Sequence, residues 1–212
     1  MQVMMAESAG FCYGVKRAVD MARETAKKCR HSVMLGSIIH NANVVAELEA
    51  LGMRKVDSWD QVRPGETVVI RSHGERKEVF ERLEAMGAAC VNATCPNVLR
   101  IQQLVAQAQE EGRTPLIIGE MHHPEVLGAA SWSERSVILP GPRELENWLN
   151  EEPSRRNMPL TATAQTTCVQ GIWESSKEIL KKQCPNAKIF DTICNATSMR
   201  QQETRKLAAE ND

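Results

Sequence analysis

Three cysteines of this sequence share one local context. Gly10-Phe11-Cys12-Tyr13-Gly14-Val15, Ala93-Thr94-Cys95-Pro96-Asn97-Val98 and Thr192-Ile193-Cys194-Asn195-Ala196-Thr197 each place a cysteine between an expected strand and an expected helix. At a helix N-terminus the helix dipole and the free backbone N–H groups favour the thiolate, which is the form a metal binds. Three thiolates suit either zinc or an iron–sulfur cluster. A structural zinc site is closed by four protein ligands, commonly with a CxxC pair, and no CxxC occurs here. Closing one would mean recruiting a histidine or a spare cysteine without a spacing motif. A cubane cluster normally takes four cysteines. With three, one iron stays open to water or substrate, and the implied chemistry is Lewis-acid and redox catalysis rather than electron storage.

The other four cysteines read differently. Cys29 lies among Lys27, Lys28 and Arg30 near an expected helix end, Cys90 and Cys168 lie in or beside apolar runs, and Cys184 precedes Pro185. They read as small packed residues. Further polar groups stand where apolar strands end: Arg71-Ser72-His73-Gly74 after Thr67, Glu120 to Glu125 after Leu116, and Gln165-Thr166-Thr167 after Leu160, while His40-Asn41 opens a helix. Taken singly these histidines are cap or core residues. Together they surround the cysteines with donors, a carboxylate and a hydroxyl, and helix N-termini add affinity for an anion. That set suits an anionic substrate undergoing protonation.

The elements that must position these groups alternate along the chain. Strands are expected at 3–6, 33–35, 67–71, 89–92, 116–119, 137–139, 160–164 and 188–190, and helices at 15–28, 44–51, 77–86, 98–111, 124–130, 143–149, 169–183 and 198–209. Such alternation predicts an α/β fold with parallel sheets flanked by helices. The cysteines at 12, 95 and 194 then sit about one small module apart. Ligands in open parallel sheets gather beyond the carboxyl ends of the strands, so three modules converging on one centre is the economical arrangement.

Length and charge bound the rest. The 212 residues suffice for one sizeable core or two smaller ones, and 26 Lys+Arg against 27 Asp+Glu leave a formal charge of -1. No nucleic acid or anionic membrane is expected as a partner on that balance. No apolar run approaches the ~20 residues that span a bilayer, and the N-terminus lacks a signal-peptide pattern. An odd count of seven cysteines argues against a disulfide-stapled secreted domain. A soluble cytosolic protein is expected.

The motifs Gly10-Phe11-Cys12-x-Gly14-Val15 with Arg17-Ala18, Ile39-His40-Asn41, Ser72-His73-Gly74, Ala93-Thr94-Cys95-Pro96, Gly119 with His123-Pro124-Glu125-Val126, Gln165-Thr166-Thr167 and Ile193-Cys194-x-Ala196-Thr197 resemble the LytB/IspH reductases of the non-mevalonate isoprenoid pathway. Ile39 stands where that family often has valine. The resemblance implies a pseudo-threefold trefoil of α/β modules around a central four-iron four-sulfur (4Fe-4S) cluster held by Cys12, Cys95 and Cys194. Residues 13–95 would form the first module, 96–193 the second, and 1–12 with 194–212 an incomplete third. The implied reaction converts 4-hydroxy-3-methylbut-2-enyl diphosphate to isopentenyl and dimethylallyl diphosphates, two electrons and protons removing the hydroxyl as water. An electron donor such as ferredoxin or flavodoxin is implied as partner. By motif match Glu125 supplies the proton, Thr166 orients the substrate and relays that proton, and His40, His73, His123 and Gln165 bind the substrate; His122 has no counterpart and reads as structural.

Family members continue past this point with a Ser-x-Asn motif and a further serine that complete the diphosphate site, and neither is present here. The expectation is a chain that lacks that part and has little activity alone. A non-catalytic iron–sulfur or metal-binding module is the alternative, against which Glu125 and Thr166 speak, since cluster binding alone needs neither.

Overall fold

Alternating β-branched runs and alanine-rich amphipathic stretches fold here into two parallel sheets, each clothed by helices on both faces. The structure is a computed structural model describing residues 4–210. Its strands are β1 (Ser32–Leu35), β2 (Arg54–Val56), β3 (Thr67–Ile70), β4 (Ala89–Asn92), β5 (Thr114–Ile118), β6 (Val137–Leu139), β7 (Leu160–Ala164) and β8 (Lys188–Ile189). Its helices are α1 (Tyr13–Lys28), α2 (Ala42–Ala50), α3 (Lys77–Ala85), α4 (Pro96–Glu110), α5 (Pro124–Ala130), α6 (Pro142–Glu151), α7 (Gln170–Gln183) and α8 (Asn195–Glu210).

The sheets repeat one topology, β2-β1-β3-β4 and β6-β5-β7-β8, with all pairings parallel. Successive residues of a strand face opposite sides of its sheet. Met34 and Val69 therefore pack with Ala18, Val19 and Ala22 of α1 and Leu48 of α2, while Val33, Leu35, Val68 and Ile70 pack with Leu83 of α3. In the second sheet Leu116, Ile118 and Ala162 meet Leu145 of α6 and Trp173 of α7, and Ile117 meets Ile101 of α4 and Val126 of α5. Small residues along α1 let its backbone approach the sheet closely. Burying each large aliphatic chain contributes roughly 1.5–3 kcal/mol, which fixes strand order and register, since a one-residue slip would turn every core side chain outward.

In each sheet the chain reverses its direction of travel across the sheet between the two central strands, β1/β3 and β5/β7. The crevice outside the carboxyl ends of such a pair is where open α/β sheets take ligands. His40 and His73 leave the first pair, and His123, Glu125, Gln165 and Thr166 leave the second. Cys95 and Cys194 follow the edge strands β4 and β8.

Two expectations are corrected. The strand at 3–6 does not form over Met4–Ala6, and Met1 to Val3 lie outside the described residues. Neither sheet pairs with this segment; its polar groups turn instead to α8, where the Glu203 carboxylate accepts the backbone N–H groups of Glu7 (2.6 Å) and Ser8 (3.0 Å) as well as the Ser8 hydroxyl. Arg200 of α8 donates to the carbonyls of Ser8 (3.3 Å) and Gly10 (2.6 Å). The second correction is β2, an unexpected strand whose Arg54 is held by Glu66 at 2.7 Å, so its charged residues concealed it from an apolar-pattern reading. Pro153–Asn157 form a 3-10 turn. None of the described helices is long and apolar enough to cross a membrane.

Candidate active site

Cys12, Cys95 and Cys194 occupy equivalent places at the starts of α1, α4 and α8. Each lends its carbonyl to the first helical hydrogen bond, from Lys16 (2.9 Å), Leu99 (2.9 Å) and Ser198 (3.3 Å). Pro96 at the first position of α4 has no N–H to lose there. A strand precedes Cys95 and Cys194, as the sequence predicts, whereas none of the described residues before Cys12 is in a strand.

The three thiols are half-buried and free. Burial pushes the Cys95 thiol above its usual range; the N–H groups of Asn97 and Val98 pull it back, and the neighbouring Cys194 and Cys12 push it further up. Cys12 and Cys194 therefore both lie within electrostatic reach of Cys95, and a cation beside them would relieve that repulsion. The approach is tight: a Cβ on Gly14 of α1 would fall 2.4 Å from Cys95 Sγ. Only glycine lets α1 start against that sulfur. Cys194 Sγ accepts a hydrogen bond from Asn97 Nδ2 at 3.2 Å, and Arg17 Nη1 donates to the Thr94 carbonyl at 3.1 Å. Among the described residues no three His, Cys, Asp or Glu side chains are grouped closely enough for a single metal ion. Three soft donors on separate helices, two of them with N–H groups directed at the sulfur, are residues that could hold a polynuclear iron–sulfur group.

The two sheets bring other groups to Cys95 and Cys194 through similar bonds. In the first, the backbone N–H of Cys95 donates to the Ser72 carbonyl at 2.7 Å; in the second, Cys194 N–H donates to the Thr166 carbonyl at 2.9 Å. Thr166 also clasps Glu125, its N–H donating to Oε1 at 2.7 Å and its hydroxyl to Oε2 at 2.6 Å. Glu125 is only 4% exposed. Burial raises its pKa, against the opposing pull of both Thr166 bonds and of His123. A carboxyl that keeps its proton to higher pH is suited to general-acid work.

His123 caps α5, its Nδ1 accepting the Glu125 N–H at 3.2 Å, which leaves Nε2 to carry the ring proton. His40 stacks on His73, ring centroids 5.7 Å apart and planes inclined by 10°. His73 is lowered to about 4, first by burial, then by electrostatic repulsion from Arg71, His40 and His123. Neither of its ring nitrogens has a protein partner. A buried imidazole with two unmet polar atoms is costly unless a ligand or water meets them. Gly74 supplies the turn behind it: its φ of +80° is a left-handed conformation, and a Cβ there would sit 2.7 Å from Gln102 Nε2. Arg71, which the sequence reading left without a role, is paired to Glu75 at 2.7 Å.

The structure thus brings together the three cysteines, the Glu125–Thr166 pair and the three histidines. Gln165 is buried, its Oε1 accepting the Glu120 N–H (3.0 Å) and its Nε2 donating to Thr167 (2.9 Å), so it shapes the loops after β5 and β7. His122 is exposed. Of the other cysteines, Cys168 and Cys184 are buried, Cys29 ends α1 half-buried, and Cys90 is exposed on β4 rather than packed. Asn97 was quoted in a motif but given no part; a contact with a residue so distant in sequence leaves no local signal.

Comparisons with known proteins bear on the family and the fold. The family model described as LytB protein matches residues 3–212. The chain is 36% identical over 220 residues to the 4-hydroxy-3-methylbut-2-enyl diphosphate reductase of Caldanaerobacter subterraneus subsp. tengcongensis, covering 100% of this chain and 73% of that protein. Among solved structures it resembles (E)-4-hydroxy-3-methyl-but-2-enyl diphosphate reductase, the terminal enzyme of the non-mevalonate pathway, with a TM-score of 0.79 and 35% identity over 99% of this chain and 74% of the other. The Plasmodium falciparum E-1-hydroxy-2-methyl-but-2-enyl-4-diphosphate reductase gives a TM-score of 0.83 and 25% identity over 95% of this chain and 63% of the other. With a match running along nearly its whole length, the chain belongs to the LytB protein family.

Proposed function

We propose that this chain carries the reductive removal of the hydroxyl from 4-hydroxy-3-methylbut-2-enyl diphosphate, giving isopentenyl and dimethylallyl diphosphates, with a 4Fe-4S cluster on Cys12, Cys95 and Cys194. The carrying observation is the contiguous run Glu125–Thr166–Cys194, in which a buried acid, a hydroxyl and a candidate metal ligand are joined by hydrogen bonds of 2.6 and 2.9 Å. When bound, the cluster supplies electrons and, at an iron without a thiolate, Lewis acidity. A protein donor such as ferredoxin or flavodoxin suits the electron supply, and a reducing cytosol keeps the thiols free.

The chain's own groups account for binding and proton delivery. Neutral His73 offers one N–H and one acceptor, and His123, whose Nδ1 is taken up by the Glu125 N–H, offers its Nε2 side, so both rings can donate to the diphosphate. The N-termini of α2 and α5 add partial positive charge. Glu125 holds the proton. If the Glu125–Thr166 hydrogen bond reverses, with Glu125 donating and Thr166 Oγ1 accepting, the Thr166 hydroxyl proton is freed toward the leaving hydroxyl. Modules 13–95 and 96–193 bring these groups together, and residues 1–12 with 194–212 contribute Cys12 and Cys194 as part of a third.

The test is anaerobic reconstitution with iron and sulfide, followed by metal analysis, visible absorbance and turnover with a strong one-electron donor. Iron and sulfide in cluster proportion are expected, lost on Cys12→Ser, Cys95→Ser or Cys194→Ser and kept on Cys29→Ser or Cys168→Ser. Tight stoichiometric zinc with no iron uptake would end this reading. A retained cluster without turnover would leave a binding module.

A further inference from the structure

Asn97 touches two of the three candidate ligand sulfurs at once. Its backbone N–H, at the start of α4, is directed at Cys95 Sγ, and its side-chain Nδ2 donates to Cys194 Sγ at 3.2 Å. Cys95 follows β4 in the first sheet and Cys194 follows β8 in the second, so one residue ties together sulfurs that the two sheets position independently. The side chain is exposed, and among the described residues its hydrogen bond is to the Cys194 sulfur.

We propose that Asn97 is a positioning residue that fixes the separation of Cys95 and Cys194 and raises the reduction potential of the iron–sulfur cluster they hold; the inference rests on the cluster reading above. The physics is electrostatic. A one-electron reduction adds negative charge, part of which resides on the ligand sulfurs. An N–H dipole aimed at such a sulfur stabilises the reduced form more than the oxidised one, and hydrogen bonds to sulfur are among the determinants of cluster potential. A second effect is geometric: outer groups that bond to a ligand hold it in place, and their loss weakens metal retention.

The experiment compares wild type, Asn97→Leu, Asn97→Asp and Asn97→Gln after anaerobic reconstitution, by redox titration followed by electron paramagnetic resonance and by iron release to a chelator. Asn97→Leu keeps the backbone N–H and removes only the side-chain donor. At the wild-type midpoint its reduced-to-oxidised ratio should fall about tenfold, a one-electron shift of about 59 mV to lower potential, and iron release should be faster. Asn97→Asp, which swaps the donor for a charge, should shift further in the same direction, and Asn97→Gln should recover at least part of the loss. If Asn97→Leu fails to hold iron, retention by Asn97→Gln supports the role and equal loss by both overturns it. A wild-type potential and wild-type iron release in Asn97→Leu would remove Asn97 from the site while leaving the cluster in place. Failure of the wild type to take up iron would overturn both readings.

Discussion

Thr166 satisfies both oxygens of the buried Glu125 carboxyl, its backbone N–H on one and its hydroxyl on the other, at 2.7 and 2.6 Å. Removing the hydroxyl by Thr166→Val leaves a buried acceptor unmet and should cost about 1–3 kcal/mol. The pH dependence has a definite sign. Because Glu125 is raised above an ordinary carboxyl in the folded chain, its contribution is fully present below the ordinary value and is lost as pH rises through the folded value. Since Thr166 pulls that pKa down, the variant should be damaged more at neutral pH than at pH 4. Urea unfolding at both values checks this, with Thr166→Ser as the restoring variant; equal losses at the two pH values would contradict it.

Glu125→Gln keeps the size of the side chain and one acceptor. It should leave iron binding intact and lower kcat by about 10²-fold or more, the size of effect expected when a general acid is removed. Anaerobic turnover with a strong one-electron donor measures it, and an unimpaired enzyme would take Glu125 off the proton path.

His73 should titrate near pH 4 in the folded chain, well below the ordinary imidazole value of 6.5. A depressed value means that its contribution to stability is present above about 6.5 and is lost as pH falls toward 4, on the order of 3 kcal/mol in all. Arg71→Met should raise the His73 value, since the Arg71 charge disfavours the imidazolium. NMR titration of the ring resonances reads both. A His73 that protonates near 6.5 in the native chain would show that the ring is far more hydrated than its position implies.

Gly14→Ala puts a Cβ 2.4 Å from Cys95 Sγ, whereas a Cβ on Gly171 of α7 meets nothing within 4 Å. The first substitution should displace the sulfur and reduce iron uptake several-fold. The second should leave uptake unchanged and raise stability by up to about 1 kcal/mol through helix propensity. Iron content and thermal unfolding of the pair distinguish a site-specific clash from a general glycine effect.

Most of the elements were legible because their causes are local. The runs 67–70 and 160–164 alternate or saturate with β-prone residues, and α5 appears where a proline-led pattern predicts it. Apolar periodicity placed α1, α2 and α4 two residues late, since it registers the first buried position while the helix begins at the cap, at Tyr13, Ala42 and Pro96. β2 was missed because Arg54 and Lys55 interrupt the apolar pattern, and the strand is held by its neighbour β1 instead. The strand expected near the N-terminus had suitable side chains, but a strand exists only where another strand accepts its hydrogen bonds.

For the site, the sequence by itself determined which groups are present and which of them stand at helix starts, because capping, proline placement and strand–helix alternation act within a few residues. It did not determine who meets whom. The clasp of Glu125 by Thr166, the stacking of His40 on His73 and the reach of Asn97 to Cys194 depend on β3 lying beside β1, on β7 lying beside β5, and on two sheets presenting their carboxyl ends to one another. Those relations are decided by how apolar faces bury against helices on both sides of each sheet, and burial is a property of the folded whole that no short stretch of chain encodes.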